Sequence, residues 1–282
     1  MPGEPHTFWD RVVEKAASAL ASGALQPIET RSVTLVDGGV RFLARVAANL
    51  VRKQVAGKKR GPGFNPFLSP EEDLLIGDIS GTHYALLNKF NVFENHVLIV
   101  TRAFEEQESL LSQADFEALW ISLRAIDGLA FYNAGKESGA SQRHKHLQLV
   151  RAPLGEGPER IPMDAALKRE LGALSFRSAS CSLRDCVDLA LESAAATTRK
   201  RYLQLLADVG RENDPRAYNL LATRERMVVI PRSREAWESI SVNALGYAGA
   251  FFVHDEDELE KLRRIGPMRL LGEVGLRTRR SS

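Results

Sequence analysis

Three short β-rich runs with short connections between them constrain the fold of this chain most strongly. The runs cover 73–79, 84–87 and 96–101, and they are separated by a turn at 80–82 and by the segment 88–95. Short connections of this kind join antiparallel strands, whereas parallel strands need a crossover of about a dozen residues or more. The pattern therefore predicts an antiparallel sheet.

The predicted helices lie outside this run of strands and do not alternate with it. A capping box at Ser112 and Asp115 predicts a helix from there through about Tyr132. Further helices are predicted from apolar spacing at 8–25, 164–174, 184–208 and 256–264, and further strands at 32–36, 40–47, 218–223, 227–230 and 246–253. This segregation is typical of an α+β fold and not of a βαβ fold.

A weak internal similarity indicates duplication. The segment 84–102 and the segment 218–232 each contain a Tyr-initiated apolar strand, a charged turn and an apolar strand that ends near Arg. On this basis the second half would repeat the sheet without repeating the histidines of the first. The boundary between the two halves is placed at 155/156, giving domains 1–155 and 156–282.

Composition excludes several classes of protein. No apolar run approaches the ~20 residues that a membrane span needs, and the N-terminus lacks the pattern of a secretory signal. Cys181 and Cys186 form neither a disulfide framework nor a paired zinc motif. The net charge of +2 does not suggest nucleic-acid binding. We therefore expect a cytoplasmic protein with no membrane and no nucleic-acid partner.

The segment 139–150 carries the candidate chemistry. A small-residue loop, 139–142, runs into a predicted strand in which His144, His146 and Gln148 share one face. The loop can bring backbone N–H groups close to a phosphate. A neutral imidazole can attack phosphorus and later leave, which divides one displacement into two easier steps.

Two histidines separated by one residue are a weak signal alone, and other interpretations stay open. The pair could be solvent-facing side chains, or part of a zinc site completed by His83 or His96. Basic residues near the loop at 52–60 favour a polyphosphate ligand, although a solvated loop explains them equally well. The residues alone do not decide among these alternatives.

The motifs together resemble a known family. They are Asn-Lys-Phe-Asn-Val at 88–92 with the strand 96–101, Phe-Tyr-Asn-Ala-Gly at 131–135, and Gly-Ala-Ser-Gln-x-His-Lys-His-Leu-Gln at 139–148. Weaker matches follow at 218–227 and 231–233. This set is similar to the diadenosine tetraphosphate phosphorylase (ATP adenylyltransferase) branch of the histidine-triad superfamily, over about residues 40 to 270.

The resemblance implies a fold and an activity. The fold would be α+β, with a histidine-triad-like antiparallel sheet duplicated as a pseudo-dimer within one chain. The activity would be phosphorolysis of diadenosine tetraphosphate to ATP and ADP, a reversible adenylyl transfer through a covalent adenylyl-histidine. No covalently required cofactor is implied, a divalent cation such as Mg²⁺ is allowed, and we expect a monomer whose partners are nucleotides and phosphate.

The resemblance also implies roles for individual residues. His146 would be the nucleophile, His144 would orient the site, and Gln148 would hold a phosphoryl oxygen. The implied substrate-binding residues are Lys53, Asn88, Lys89, Asn133, Gly139, Ala140, Ser141, Gln142, Thr223 and Met227. Lys58 and Lys59 compete with Lys53 for the polyphosphate tail, and no residue is assigned to a metal.

Related activities remain as alternatives. Histidine-triad hydrolases place a third histidine where this chain has Gln148, so Gln148 favours transfer onto phosphate over transfer onto water. Sugar-1-phosphate nucleotidylyltransferases typically have Pro where this chain has Lys145, which disfavours them. An adenosine phosphosulfate phosphorylase, a dinucleoside polyphosphate hydrolase and a non-catalytic nucleotide-binding protein stay open, and so does a metal-dependent phosphoesterase.

Overall fold

The computed structural model describes residues 7–47, 64–168, 174–212 and 217–278. Most of its strands form one eight-stranded antiparallel sheet with the order β3-β4-β5-β7-β6-β9-β10-β8. These strands are β3 Leu75–Asp78, β4 His83–Leu87, β5 Val97–Thr101, β6 Gly128–Ala134, β7 His146–Arg151, β8 Ala179–Ser182, β9 Tyr218–Ala222 and β10 Arg226–Pro231. The predicted antiparallel sheet and the α+β class are confirmed.

A smaller sheet and seven helices complete the described part of the chain. The small sheet has the order β1-β2-β13, in which β13 runs parallel to β2. Its strands are β1 Thr30–Asp37, β2 Val40–Ala47 and β13 Ala250–Val253, and β11 Ala236–Trp237 pairs separately with β12 Ile240–Ser241. The helices are α1 Phe8–Ser22, α2 Gln113–Ala125, α3 Asp164–Lys168, α4 Leu191–Asp208, α5 Ala244–Ala248, α6 Glu256–Ile265 and α7 Pro267–Val274. None of these helices is long and apolar enough to cross a membrane.

The large sheet separates two cores. On one face, α1, α2 and α4 pack over alternate residues such as Leu147 and Leu149 of β7. On the other face, the small sheet and α5 to α7 pack over residues of opposite parity, such as Phe131 and Val150. Because successive side chains of a strand point to opposite faces, a residue's parity along its strand decides which core it enters.

The two halves of the chain meet at the centre of the large sheet. Strand β6 pairs with β9, with Tyr132 opposite Leu220, and α2 packs on α4. The chain order β5-α2-β6-β7 in the first half matches β8-α4-β9-β10 in the second, and the six strands β5-β7-β6-β9-β10-β8 are arranged symmetrically about the β6/β9 pair. The duplication therefore has a structural counterpart, whereas the domain boundary at 155/156 stays a prediction.

The predicted alignment of the two repeats is wrong. The sequence comparison matched β4 and β5 with β9 and β10, whereas topology makes β6 and β7 the counterparts of β9 and β10. Apolar strands that are buried on both faces look alike in sequence. Their position relative to a preceding helix distinguishes them.

The helix expected to run through Tyr132 is also wrong in its second half. It ends at Ala125, and 128–134 form the central strand β6. Every residue of that strand is buried, so its apolar run has no period that separates a strand from a helix. A side chain at Gly128 would collide with the Val150 carbonyl oxygen, so the close pairing of β6 with β7 requires glycine there.

Smaller corrections concern other boundaries. The predicted strand 246–253 is helix α5 followed by β13, and the predicted helix 184–208 begins only at Leu191, after a short 3₁₀ turn. Helix α3 covers Asp164–Lys168 among the described residues, and the rest of the predicted 164–174 helix lies mostly outside them. The N-terminal helix, the first hairpin and the helix at 256–264 are confirmed within a few residues.

A buried ionic cluster anchors the start of the histidine strand on the helix side. Lys145 is 1% exposed, and its Nζ lies 2.6 Å from Glu105 Oε2 and 3.2 Å from Asp115 Oδ2. Asp115 also accepts a 2.9 Å hydrogen bond from His83 Nε2. Burial would raise the pKa of Asp115, but the hydrogen bond from His83 and the charge of Lys145 outweigh it and lower that pKa. The carboxylate therefore stays charged and holds Lys145.

We expect Asp115→Ala to lower the free energy of unfolding by about 3 kcal/mol, because the change leaves the buried Lys145 ammonium with Glu105 as its one carboxylate partner among the described residues and also removes the capping hydrogen bonds with Ser112. Urea denaturation would measure it. Glu117→Ala, on the same helix and only half-buried, serves as the control and should cost no more than about 0.5 kcal/mol. Equal effects of the two changes would contradict the importance of the cluster.

Candidate active site

A cavity of about 420 Å³ lies between the large sheet and the small sheet. Its floor is the face of the large sheet that α1, α2 and α4 leave uncovered, and helix α5 with β13 forms its opposite wall. Most predicted site residues meet there. Those that line the cavity are Asn88, Lys89, Asn133, Gly139, Ser141, Gln142, His146 and Gln148.

His146 has one ring nitrogen committed and one left for chemistry. Its Nδ1 lies 2.9 Å from the His144 carbonyl oxygen. A carbonyl only accepts hydrogen bonds, so Nδ1 carries the proton and Nε2 keeps its lone pair. The ring packs 5.1 Å from that of Phe67 and lines the cavity. This arrangement makes Nε2 the candidate nucleophilic atom.

Burial keeps that imidazole neutral. His146 is only 5% exposed, and burial lowers its pKa to about 4, although the hydrogen bond to the His144 carbonyl opposes this shift. A neutral ring is the nucleophilic form, so the group is ready to react at neutral pH.

His144 acts through its position. Its Nε2 donates to the Thr101 carbonyl at 2.8 Å, and its Nδ1 accepts from Asn65 Nδ2 at 2.9 Å. Both nitrogens are therefore engaged, and the side chain does not line the cavity. Its carbonyl fixes the tautomer of His146, and the orienting role implied by the motif stays a prediction.

Gln107 is a positioning residue that the sequence did not reveal. Its Oε1 accepts from the backbone N–H of His146 at 2.8 Å, and its Nε2 donates to the carbonyls of His146 at 3.1 Å and Asn133 at 3.0 Å. The pairing of β6 with β7 stops at Phe131 and Gln148. Beyond that point the buried side-chain amide of Gln107 bonds to the backbone groups that the two strands no longer pair with each other. The loop that carries Gln107 has no periodic pattern, so no sequence signal could have identified it.

The loop at 139–142 approaches the second half closely. Gly139 has φ +87°, and a side chain there would lie 2.8 Å from Asn243 Cβ, so glycine is required. Ser141 and Gln142 line the cavity. Ala140 does not line it, and its N–H donates to the Gly135 carbonyl at 3.2 Å. Ala140 therefore shapes the loop and offers no backbone donor to a ligand.

Asn88 and Lys89 occupy the far end of the cavity. The amide of Asn88 lies 3.2 Å from His96 Nδ1, and Lys89 Nζ lies 2.6 Å from Glu71 Oε2. An anion that binds to Lys89 must compete with this carboxylate. Lys53, the residue chosen for the polyphosphate tail, lies outside the described residues, as do Lys58 and Lys59.

Two predicted substrate-binding residues have no place in this cavity. The side chain of Met227 lies on the face of β10 that packs against the helices, and it is fully buried in that core. Thr223 lies in the β9–β10 turn, beyond the Ala130/Ala222 pair and therefore at the end of β6 opposite Asn133. The weak C-terminal match was correct about the strands and wrong about which side chains reach the pocket.

The second half supplies a different wall. Its lining residues lie mainly between 241 and 254, a region in which the sequence predicted only the strand 246–253; they include Ser241, Val242, Asn243, Phe252 and His254. Asn243 caps α5 through its side chain, which accepts from the Leu245 N–H at 2.9 Å. Asn followed by an Ala-Leu helix start is a recognisable N-cap signal, and it would have placed this helix.

The described residues contain no group of three His, Cys, Asp or Glu side chains that could hold a metal ion. His83, considered as a zinc ligand, lies on the helix side of the sheet and bonds to Asp115. His144 has both nitrogens in hydrogen bonds. These positions remove the basis for the zinc and metal-phosphoesterase interpretations that used these side chains.

Comparison with known proteins agrees with the geometry. Residues 1–169 match the family model of the Ap4A phosphorylase N-terminal domain, and 172–277 match that of the ATP adenylyltransferase C-terminal domain. The chain belongs to the Ap4A phosphorylase family. The first model covers more than half of the chain, and the two together span nearly all of it.

Yeast relatives of this family match along most of their length. Diadenosine 5',5'''-P1,P4-tetraphosphate phosphorylase 2 of Saccharomyces cerevisiae is 29% identical over 89% of this chain and 89% of its own. Protein APA1 of the same yeast is 26% identical over 89% and 88%. The crystal structure of yeast Ap4A phosphorylase Apa2 in complex with Ap4A superposes with a TM-score of 0.80 at 24% identity, covering 97% and 98% of the two chains. The shared fold confirms the α+β architecture with its antiparallel sheet, and the two successive domain models fit an internal duplication.

We expect the ring of His146 to stay unprotonated well below the ordinary histidine pKa of ~6.5. Histidine-selective NMR, assigned with His146→Ala, should give a midpoint near 4. The unfolded chain takes up this proton near ~6.5 and the folded chain only near 4. The free energy of unfolding should therefore decrease as the pH is lowered through that window, and this group should leave it unchanged above the window. A midpoint near ~6.5 would contradict a buried, neutral nucleophile.

Proposed function

We propose that this protein catalyses phosphorolysis of diadenosine tetraphosphate to ATP and ADP, with His146 Nε2 as the transient carrier of the adenylyl group. The observation that carries the proposal is the tautomer of His146, whose Nδ1–H is held by the His144 carbonyl while Nε2 keeps its lone pair. The 29% identity to a diadenosine tetraphosphate phosphorylase of yeast supports the choice of substrate.

The first step forms the covalent intermediate. The Nε2 lone pair attacks the α-phosphorus of one adenosine, the bond to the bridging oxygen breaks, and ATP leaves with that oxygen. The imidazole becomes cationic while Nδ1 keeps its proton, and the His144 carbonyl stabilises the developing charge. Gln148, on the same strand face, donates to a phosphoryl oxygen without taking part in proton transfer.

The second step releases the product. An oxygen of inorganic phosphate attacks the same phosphorus, the P–N bond breaks, and ADP forms as the neutral imidazole returns. The low pKa of His146 favours this departure, since the buried ring is more stable without charge. All the steps are reversible, so the same site can run adenylyl transfer in either direction.

The remaining site residues are proposed to bind the nucleotide. Asn88 and Lys89 contact it at the far end of the cavity, and Gly139, Ser141 and Gln142 border its phosphates, together with a lysine of the 53–59 segment. A divalent ion such as Mg²⁺ would arrive on the polyphosphate and partly neutralise it. We also propose a cytoplasmic monomer, supported by a cavity whose two walls both come from this one chain.

The test is product analysis with and without inorganic phosphate. We expect ATP and ADP in equal amounts from diadenosine tetraphosphate, with ADP formed only when phosphate is present. His146→Ala should abolish turnover, since it removes the attacking atom, while still binding nucleotide. Equal product formation without phosphate would favour a hydrolase, and faster turnover of adenosine phosphosulfate would favour that alternative substrate.

A further inference from the structure

A buried arginine from the second half lies behind the cavity wall without a carboxylate partner. Arg232 is 1% exposed, and in the described part of the chain no salt bridge reaches it. Its five N–H groups bond instead to neutral oxygens, four of which are main-chain carbonyls. The carbonyls belong to Ser138, Arg234, Glu235 and Val274.

The remaining acceptor connects Arg232 to the active site. Arg232 Nη1 donates to Asn219 Oδ1 at 2.6 Å. A guanidinium only donates, so this contact fixes which end of the Asn219 amide is oxygen. Asn219 Nδ2 must then point the other way, and it donates to Asn133 Oδ1 at 2.8 Å.

Asn133 is thereby oriented as well. Its Oδ1 accepts from Asn219 and also from the backbone N–H of Ala244, at 2.9 Å. With the oxygen held by two donors from the second half, Nδ2 is the end of this amide left for the cavity that Asn133 lines. No hydrogen bond of that Nδ2 occurs among the described residues.

We propose that Arg232 and Asn219 are positioning residues that turn the N–H of Asn133 into the cavity, where it donates to an oxygen of the bound nucleotide. This inference rests on the proposed function only in taking the ligand to be a nucleotide. Hydrogen bonds in series polarise one another, so the buried positive charge also strengthens the last donor. Burying a cation that has no carboxylate partner among the described residues is costly. A polyanion bound in the adjacent cavity would offset part of that cost.

The same pair supports the phosphate loop. Asn219 Nδ2 and Arg232 Nη1 both donate to the Ser138 carbonyl, at 2.9 Å and 3.3 Å, immediately before Gly139. The second half therefore positions both the Asn133 donor and the start of the 139–142 loop, although it carries no nucleophile of its own.

Asn219→Asp is the decisive variant. The carboxylate keeps the contact with Arg232 and adds an ion pair, which offsets the loss of two hydrogen bonds, because it can donate neither to Asn133 nor to the Ser138 carbonyl. We expect kcat/KM for ATP release to fall roughly 100-fold and the affinity for ADP, measured by calorimetry, to weaken by about tenfold. The melting temperature should stay within a few degrees. Gln204→Glu, an exposed amide on α4, is the charge control and should change neither value.

A double-mutant cycle tests whether Asn219 acts through Asn133. With Asn133→Ala already present, adding Asn219→Asp should lower kcat/KM and affinity by clearly less than it does alone, since only the loss of its contact with the Ser138 carbonyl remains. Full multiplication of the two effects, or an Asn219→Asp protein that works like the unsubstituted one, would overturn the proposal. Should Asn219→Asp not fold, Asn219→Ala enters the same cycle. Unsubstituted protein that binds ADP but releases no ATP would contradict the proposed function alone, since the ADP affinities still decide the positioning role.

Discussion

The hydrogen bond from His146 Nδ1 to the His144 carbonyl is the contact on which the site depends. It places the proton on the nitrogen that faces the protein and leaves the other one for phosphorus. The donor and acceptor residues are only two apart in the chain, so the backbone from His144 to His146 must be held in one conformation for this bond to form. Several contacts hold that segment.

Those contacts come from several segments of the chain. On the helix side of the sheet, Lys145, the residue between the two histidines, is fixed in the Asp115 cluster. Gln107, from the loop before α2, holds the backbone of His146. Asn65 and Thr101 hold the ring of His144. Preorganisation of this kind lets a single buried imidazole attack without first rearranging its surroundings.

Duplication explains why only one such strand is needed. Strand β10 occupies the position in the second half that β7 occupies in the first, but it carries no histidine. The second half supplies a wall of the cavity and the amide that bonds to Asn133. The two halves therefore share a topology, while only the first carries the candidate nucleophile.

The sequence predicted what is local. Alternation along one strand placed His146 and Gln148 on a common face, and the motif blocks brought Asn88, Lys89 and Asn133 to the same cavity. It could not predict contacts across the chain. Gln107, Asn219 and Arg232 act through partners that are distant in the chain. Met227 was assigned to the pocket because the sequence does not show which face of its strand turns toward which core until the sheet order is known. Strand β6 was mistaken for a helix because burial on both faces removes periodicity.

The central claim is that His146 carries the adenylyl group, and trapping that intermediate tests it most directly. The protein would be mixed with diadenosine tetraphosphate in the absence of phosphate, quenched within one turnover, and digested for mass spectrometry. The account predicts one adenylyl group on the peptide that contains His146, and its conversion to ADP when phosphate is added before the quench. An unmodified peptide during active turnover, or an adenylyl group on any other side chain, would contradict it.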